Sequence, residues 1–132
     1  MSEFKIATST TGSNPANWSE LDQILDANEP DWSYKPWQGV VILGDLTRKG
    51  IGYPSATWTW RGISEVDRET LRGFCASLSS EVYISTPTNE SSSGVRSWIN
   101  ASAVMNWMDA DEEKNVDHTL DFQIEFTKIV EV

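Results

Sequence analysis

The chain contains one histidine, His118, and one cysteine, Cys75, among its 132 residues. Nucleophilic catalysis needs a nucleophile, a base within hydrogen-bond reach and a third group that orients the base. His118 follows Asp117 in a run crowded with carboxylates, a setting that reads as a solvated loop. No serine stands in a G-x-S-x-G elbow. Cys75 falls on the apolar edge of an expected helix and reads as a buried, inert thiol. Alone it can make neither an internal disulfide nor a cysteine-based zinc site. Two carboxylates flanking a glycosidic bond would make a glycosidase, but the 20 acids are scattered and no pair is singled out. The residues therefore predict no catalytic group, cofactor or metal, and the chain reads as a non-enzyme.

Asp109, Asp111 and Glu113 repeat at every second position, as in a calcium loop. Lys114 stands where that loop needs glycine for its sharp turn, and Leu120 where it needs a bidentate glutamate. The stretch Asp109 to Asp117 reads instead as a solvated acidic hairpin tip. Asn17, Asn89 and Asn100 each begin an N-x-S triplet, which carries little weight without a signal peptide. Arg48-Lys49-Gly50 is a turn with two charges, too small for a nucleic-acid patch, and no glycine-rich phosphate loop is present. The unusual feature is aromatic: seven tryptophans. Trp58 and Trp60 lie two apart on an expected strand, so their rings share a face. Such a pair can stack on a sugar, fill a core or plug a neighbouring subunit. The core reading leads, because the amphipathic helix that follows must pack on something near by.

The elements that would position these residues are mostly strands. Ser55 to Trp60 is rich in Thr and Trp, as strands are, and a two-residue Arg61-Gly62 turn leads into a helix. Ser64 caps that helix, Asp67 places negative charge in its first turn, and Ile63, Val66, Leu71 and Phe74 form its apolar side, with Glu65, Asp67, Arg68, Glu69 and Arg72 covering the remaining surface. Upstream, Trp37 to Leu43 is an apolar, β-branched run that reads as a core strand. A turn region over Asp45 to Gly52 would bring Ser55 to Trp60 back antiparallel to it. Downstream come a strand over Glu81 to Thr86, a polar flexible loop over Pro87 to Gly94 and a long strand over Arg96 to Trp107. In the last, Ala101, Ala103, Met105 and Trp107 alternate with Ser102, Val104 and Asn106. Leu120, Phe122, Ile124 and Phe126 alternate with Asp121, Gln123, Glu125 and Thr127 in the clearest period-two pattern. Near the N-terminus, Glu3 to Thr8 reads as a strand or arm, Ser19 to Ala27 as a short helix and Asn28 to Pro36 as irregular. The expectation is a mainly β (α+β) chain: an antiparallel β-sandwich or barrel with one flanking amphipathic α-helix. Residues 1–132 form one domain with an extended N-terminal arm over about residues 1–36.

Net charge is −10, from 20 acidic and 10 basic residues. That balance argues against conventional nucleic-acid binding and against anionic membrane surfaces. No apolar run approaches the ~20 residues of a membrane helix. The N-terminus lacks the layout of a signal peptide, so cytoplasmic synthesis is expected. An acidic surface suits a soluble protein, or a wall past which a polyanion slides without sticking.

Four segments taken together resemble the small structural proteins of long-tailed bacteriophages, of the tail tube and distal tail type. They are Gly50 to Trp60 (GIGYPSATWTW), the capped helix Ser64 to Phe74, Val82 to Thr86 (VYIST) and Phe122 to Phe126 (FQIEF). The resemblance runs over about residues 37 to 130 and lies in element order and texture. It implies a tail-tube-like β-sandwich with a flanking helix that assembles with itself into stacked rings, commonly hexameric, within the virion tail. It also implies contact with other tail proteins, DNA passing without specific binding, and no membrane. Trp58, Trp60, Leu71, Phe74, Phe122 and Phe126 would then be structural and assembly residues, and Asp121 and Glu125 would face the lumen. The loops Pro87 to Gly94 and Asp109 to Asp117 would make ring-to-ring contacts, and the N-terminal arm would order on a neighbour. A distal tail or baseplate ring protein would look the same. The alternative is a carbohydrate-binding β-sandwich module that uses Trp58, Trp60 or Trp98 as an exposed platform.

Overall fold

A computed structural model describes residues 4–9, 12, 15–25, 29–75, 77–107 and 120–132, apart from the side chains of residues 15, 61, 62 and 120–122. The acidic stretch Asp109 to Asp117 and His118 lie outside the described residues. In chain order the strands are β1 (Lys5–Thr8), β2 (Ser19–Glu20), β3 (Asp31–Lys35), β4 (Gly39–Ile42), β5 (Arg48–Ile51), β6 (Ser55–Ile63), β7 (Ser79–Ser92), β8 (Val95–Trp107) and β9 (Leu120–Glu131). The helices are α1 (Leu21–Ile24) and α2 (Glu65–Arg72). The protein is mainly β. Seven strands form one antiparallel sheet, in the order β2-β1-β7-β8-β9-β6-β3, curled into a half-barrel, while β4 and β5 make a separate hairpin.

Alternation dictates which side chains enter the curl. Ala101, Ala103, Met105 and Trp107 of β8 are buried, as their spacing requires, and Val82 and Ile84 of β7 join them. Two bulges reset that alternation. Between Arg61 and Ile63 the register of β6 against β9 shifts by one, so Trp58 and Trp60 point inward and Ile63 does too. The expected Arg61-Gly62 turn is therefore a bulge inside a longer strand, for which glycine at the extra position is well suited. On β9 the extra residue lies beyond Thr127, where Lys128 adopts φ 51°, and Ile129 follows Ile124 and Phe126 into the core.

The β7–β8 hairpin is the longest element. It turns at Ser93-Gly94, with φ 54° and 78°, the left-handed pair that a two-residue hairpin prefers. This corrects the flexible loop expected over Pro87 to Gly94. The polar residues belong to strand because the distal hairpin stands in water, where alternating apolar residues are not required. Pro87 lacks an N–H and sits beyond the last described pair with β1, Lys5 to Ser85, so the proline breaks no described ladder bond there. Between Pro87 and Ser91 the strand bulges, and Thr88 Oγ1 donates to the Ser97 carbonyl at 3.1 Å and accepts from Glu90 N at 3.3 Å.

Helix α2 is capped as its sequence predicts: Ser64 Oγ accepts from the Asp67 amide at 3.2 Å. Its buried stripe is Ile63, Asp67 and Leu71, spaced four apart, while Val66 is exposed. Val66 thus does not belong to the apolar side, and Asp67 is not a surface residue. Arg72 lies over the Trp107 ring at 4.5 Å. Cys75 is buried, with Sγ 3.2 Å from the Ser77 carbonyl.

Most described residues of the expected N-terminal arm belong to the sheet and its core. β1 pairs with both β2 and β7, and Phe4, Ile6, Leu21 and Leu25 are core residues. Helix α1 is a single turn, with Ser19 and Glu20 in strand before it. β3, expected to be irregular, pairs with β6 from Asp31–Thr59 to Lys35–Ser55 and ends the sheet. The curl brings β3 over the distal β7–β8 hairpin, where Arg96 lies 5.2 Å from the Trp32 ring centroid.

Candidate functional site: an apolar hairpin and the pocket at its root

Residues 37–53 leave the sheet between β3 and β6. Val40 to Leu43 is the apolar run that suggests a core strand, yet no core residue comes from it. Among the described residues β4 pairs only with β5, and β6 pairs with β3 and β9 instead. Val40, Val41, Ile42 and Leu43 are all exposed, Ile42 at 67%. Adjacent strand residues face opposite sides, so both faces of the hairpin are apolar and wet. Trp37, Ile51 and Tyr53 extend that surface to the root. Apolar area of this kind makes the hairpin a candidate interaction surface.

The hairpin is locally well made. At its tip, the Leu43 amide donates to the Thr47 carbonyl at 2.8 Å. Asp45 Oδ1 accepts from the amide and hydroxyl of Thr47 at 3.0 and 2.6 Å. Those bonds hold the Asp45 carboxyl below the ordinary aspartate range. Leu46 takes φ 70°, unfavourable for a residue with a side chain, and is 83% exposed. At the root, Gln38 N donates to the Ile51 carbonyl at 2.8 Å and Gln38 Nε2 to the Tyr53 carbonyl at 3.0 Å.

Trp37 lies across Gly50, where a Cβ would come within 2.6 Å of the indole. Gly50→Ala is expected to push the indole off and loosen the root by about 1 kcal/mol, the lower end of overpacking costs. The Gln38 amide should then exchange with solvent roughly five-fold faster. Unchanged exchange would mean that Trp37 does not brace the hairpin.

A cavity of about 280 Å³ opens beside the root, lined by Tyr34, Pro36, Pro54 and Ile129, with Glu90 and Glu131 among its polar residues. Tyr34 is partly buried, and burial first, then the Glu131 and Glu90 charges, raises its phenol above the usual value near 10. The unfolded chain then loses this proton at lower pH than the folded one. The contribution is complete below pH 10 and is lost as pH rises through 10 towards the raised folded value. In alkaline absorbance titration the wild type should show one late phenolate step that Tyr34→Phe removes. A late end of the titration left unchanged by Tyr34→Phe would refute this environment.

The residues singled out by sequence fall elsewhere. Trp58, Trp60, Leu71 and Phe126 are buried, and Phe74 packs against the core part-buried. Trp58 Nε1 donates to Thr86 Oγ1 at 3.1 Å, and its ring meets Phe126, Phe4 and Trp60 at centroid distances of 4.6, 5.4 and 6.3 Å. Neither Trp58 nor Trp60 offers an indole face to a sugar. Trp98 is part-buried, 4.9 Å from Phe4. Glu125 is half-buried on the β9 face opposite Ile124 and Phe126, and the side chains of Asp121 and Phe122 lie outside the description. Among the described residues, no three His, Cys, Asp or Glu side chains gather as a metal site, and no helix is long and apolar enough to cross a membrane.

Trp37, Val40, Val41, Ile42 and Leu46 are what sequence reasoning missed. The Gly44-Asp45 pair that ends the run Val40 to Leu43 carries a turn signal, but an apolar run of this length ordinarily means core. Comparison with protein-family models, with curated proteins and with solved structures finds no match for this chain.

Proposed function

We propose that this protein is a self-assembling structural subunit of a bacteriophage tail, with the tail tube as its place and a distal tail or baseplate ring as the neighbouring reading. The observation that carries self-assembly is the 37–53 hairpin: apolar on both faces, hydrogen-bonded at tip and root, and contributing nothing to the core of its own subunit. A two-stranded hairpin in water is marginal by itself, so this one gains most of its stability on a partner. β3 ends the sheet, with β6 as its ladder partner among the described residues, and a terminal strand is where a sheet continues across subunits when chains associate. The tail assignment rests on the likeness in segments 50–60, 64–74, 82–86 and 122–126. The −10 charge fits a wall that DNA passes without binding.

Native mass measurement across a concentration series, followed by negative-stain imaging, tests the reading. Rings or stacked tubes are expected. A protein that stays monomeric at high concentration defeats it, and single rings that never stack favour the distal tail or baseplate position. The burial of Trp58 and Trp60 weakens the carbohydrate-module alternative. Tryptophan emission should accordingly stay unchanged across a glycan titration.

A further inference from the structure

The hairpin differs from the rest of the chain in charge as well as in polarity. Residues 37–53 hold one acid, Asp45, against two bases, Arg48 and Lys49, a balance of +1 that leaves −11 on all other residues. Both bases are exposed on β5 near the tip, flanked by Leu46 and Ile51. Strand β5 runs from Arg48 near the tip to Ile51 at the root, about 10 Å at a strand's rise. Neither base lines the cavity beside its own root.

That cavity suits such a side chain. Its walls include two proline rings and Ile129, and its polar members include two carboxylates, Glu90 and Glu131, beside the Tyr34 oxygen. An aliphatic stem ending in a cation matches both parts: methylenes lie along apolar wall while the charged head meets the carboxylates. Tyr34 stays protonated across the neutral range and can donate to one carboxylate while the cation satisfies the other.

We propose that Lys49 of one copy enters the Glu90–Glu131 pocket of a second copy, joining hairpin tip to hairpin root head-to-tail, while Arg48, its neighbour on β5, stands on the other face. The inference rests on the self-assembly reading and names the surface it uses. Tip and root are different patches, so the contact is heterologous. It closes into a ring where the rotation between copies allows and continues as a filament where it does not. The apolar strand faces would dock beside the pocket and the charge pairs would set the register.

Charge exchange tests the joint. Lys49→Glu in one variant, and Glu90→Lys with Glu131→Lys in another, change exposed residues only, so each variant should keep the wild-type urea midpoint. Association, measured by sedimentation velocity, should weaken roughly a hundred-fold in each variant alone. It should return when the two are mixed in equal amounts, because each hairpin then meets an opposite pocket. As a second measurement, Lys49→Cys and Glu131→Cys on separate copies should form a disulfide-linked dimer under mild oxidant. If the wild type assembles and both charge variants assemble as well as it does, the joint is wrong while self-assembly stands. If each variant fails alone and the mixture also fails, the charges do not face one another and the joint is again wrong. A wild type that is monomeric throughout overturns self-assembly itself, and the joint with it.

Discussion

Replacing Trp58 by alanine is expected to cost about 3–5 kcal/mol, the range for removing a large aromatic from a closed core. Trp58 has no exposed surface, and its ring is held between Phe126, Phe4 and Trp60. These partners come from β9, from the residue before β1 and from β6 itself, so the cavity left behind cannot close by moving one element. Thr86, also fully buried, would lose the indole N–H that it accepts at 3.1 Å. Against a total stability of about 5–15 kcal/mol for an ordinary domain, the variant should be unfolded or nearly so. Urea unfolding reads this directly as a fall in midpoint at unchanged slope. Trp58→Phe keeps most of the ring and removes only the donor, and should cost about 1–3 kcal/mol. A cost below about 1 kcal/mol for Trp58→Ala would show that Trp58 is not the centre of the core.

The opposite result is expected for a much larger change. Lys35 and Ser55 are already paired neighbours on β3 and β6. Residues 36–54 can therefore be replaced by Asn-Gly, the two-residue turn that antiparallel strands favour. No core residue is lost, and the shorter connection lowers the entropy cost of closing the β3–β6 pair, but buried Ile129 loses the Pro54 carbonyl that accepts its amide at 3.2 Å. Stability should fall by about 1–3 kcal/mol, the cost of leaving that amide unpaired, and the protein should stay folded while self-association disappears. A shortened protein that cannot fold would mean the hairpin stabilises its own subunit. One that folds and still assembles would move the interface elsewhere, to the β3 edge first.

The two results separate what a linear reading can see from what it cannot. Ala101 to Trp107 and Ile124 to Phe126 are legible because a half-buried strand writes its burial as period two, and the structure buries those positions. Ser64 is legible as a cap because the bond it makes is local, to an amide three residues on. Val66 and Asp67 are misassigned because one residue of rotation around a helix is about 100°, and only the packing of Ile63 and Leu71 sets the phase. The bulges at Gly62 and Lys128 shift alternation by one, and their placement depends on register against β8 and β9 rather than on any local signal.

The hairpin marks the boundary most sharply. Composition and alternation by themselves determined an antiparallel, mainly β chain with one capped amphipathic helix, since period, propensity and capping act over a few residues. They also singled out Trp58 and Trp60 as a same-face pair. They could not say that Trp37 to Leu43 lies outside the core, because an apolar run looks the same whether its partner is the rest of its own chain or another molecule. That was decided by tertiary structure alone: once β6 pairs with β3 and β9, neither side of β6 is left for β4 and β5, which pair with each other and keep their apolar side chains in water.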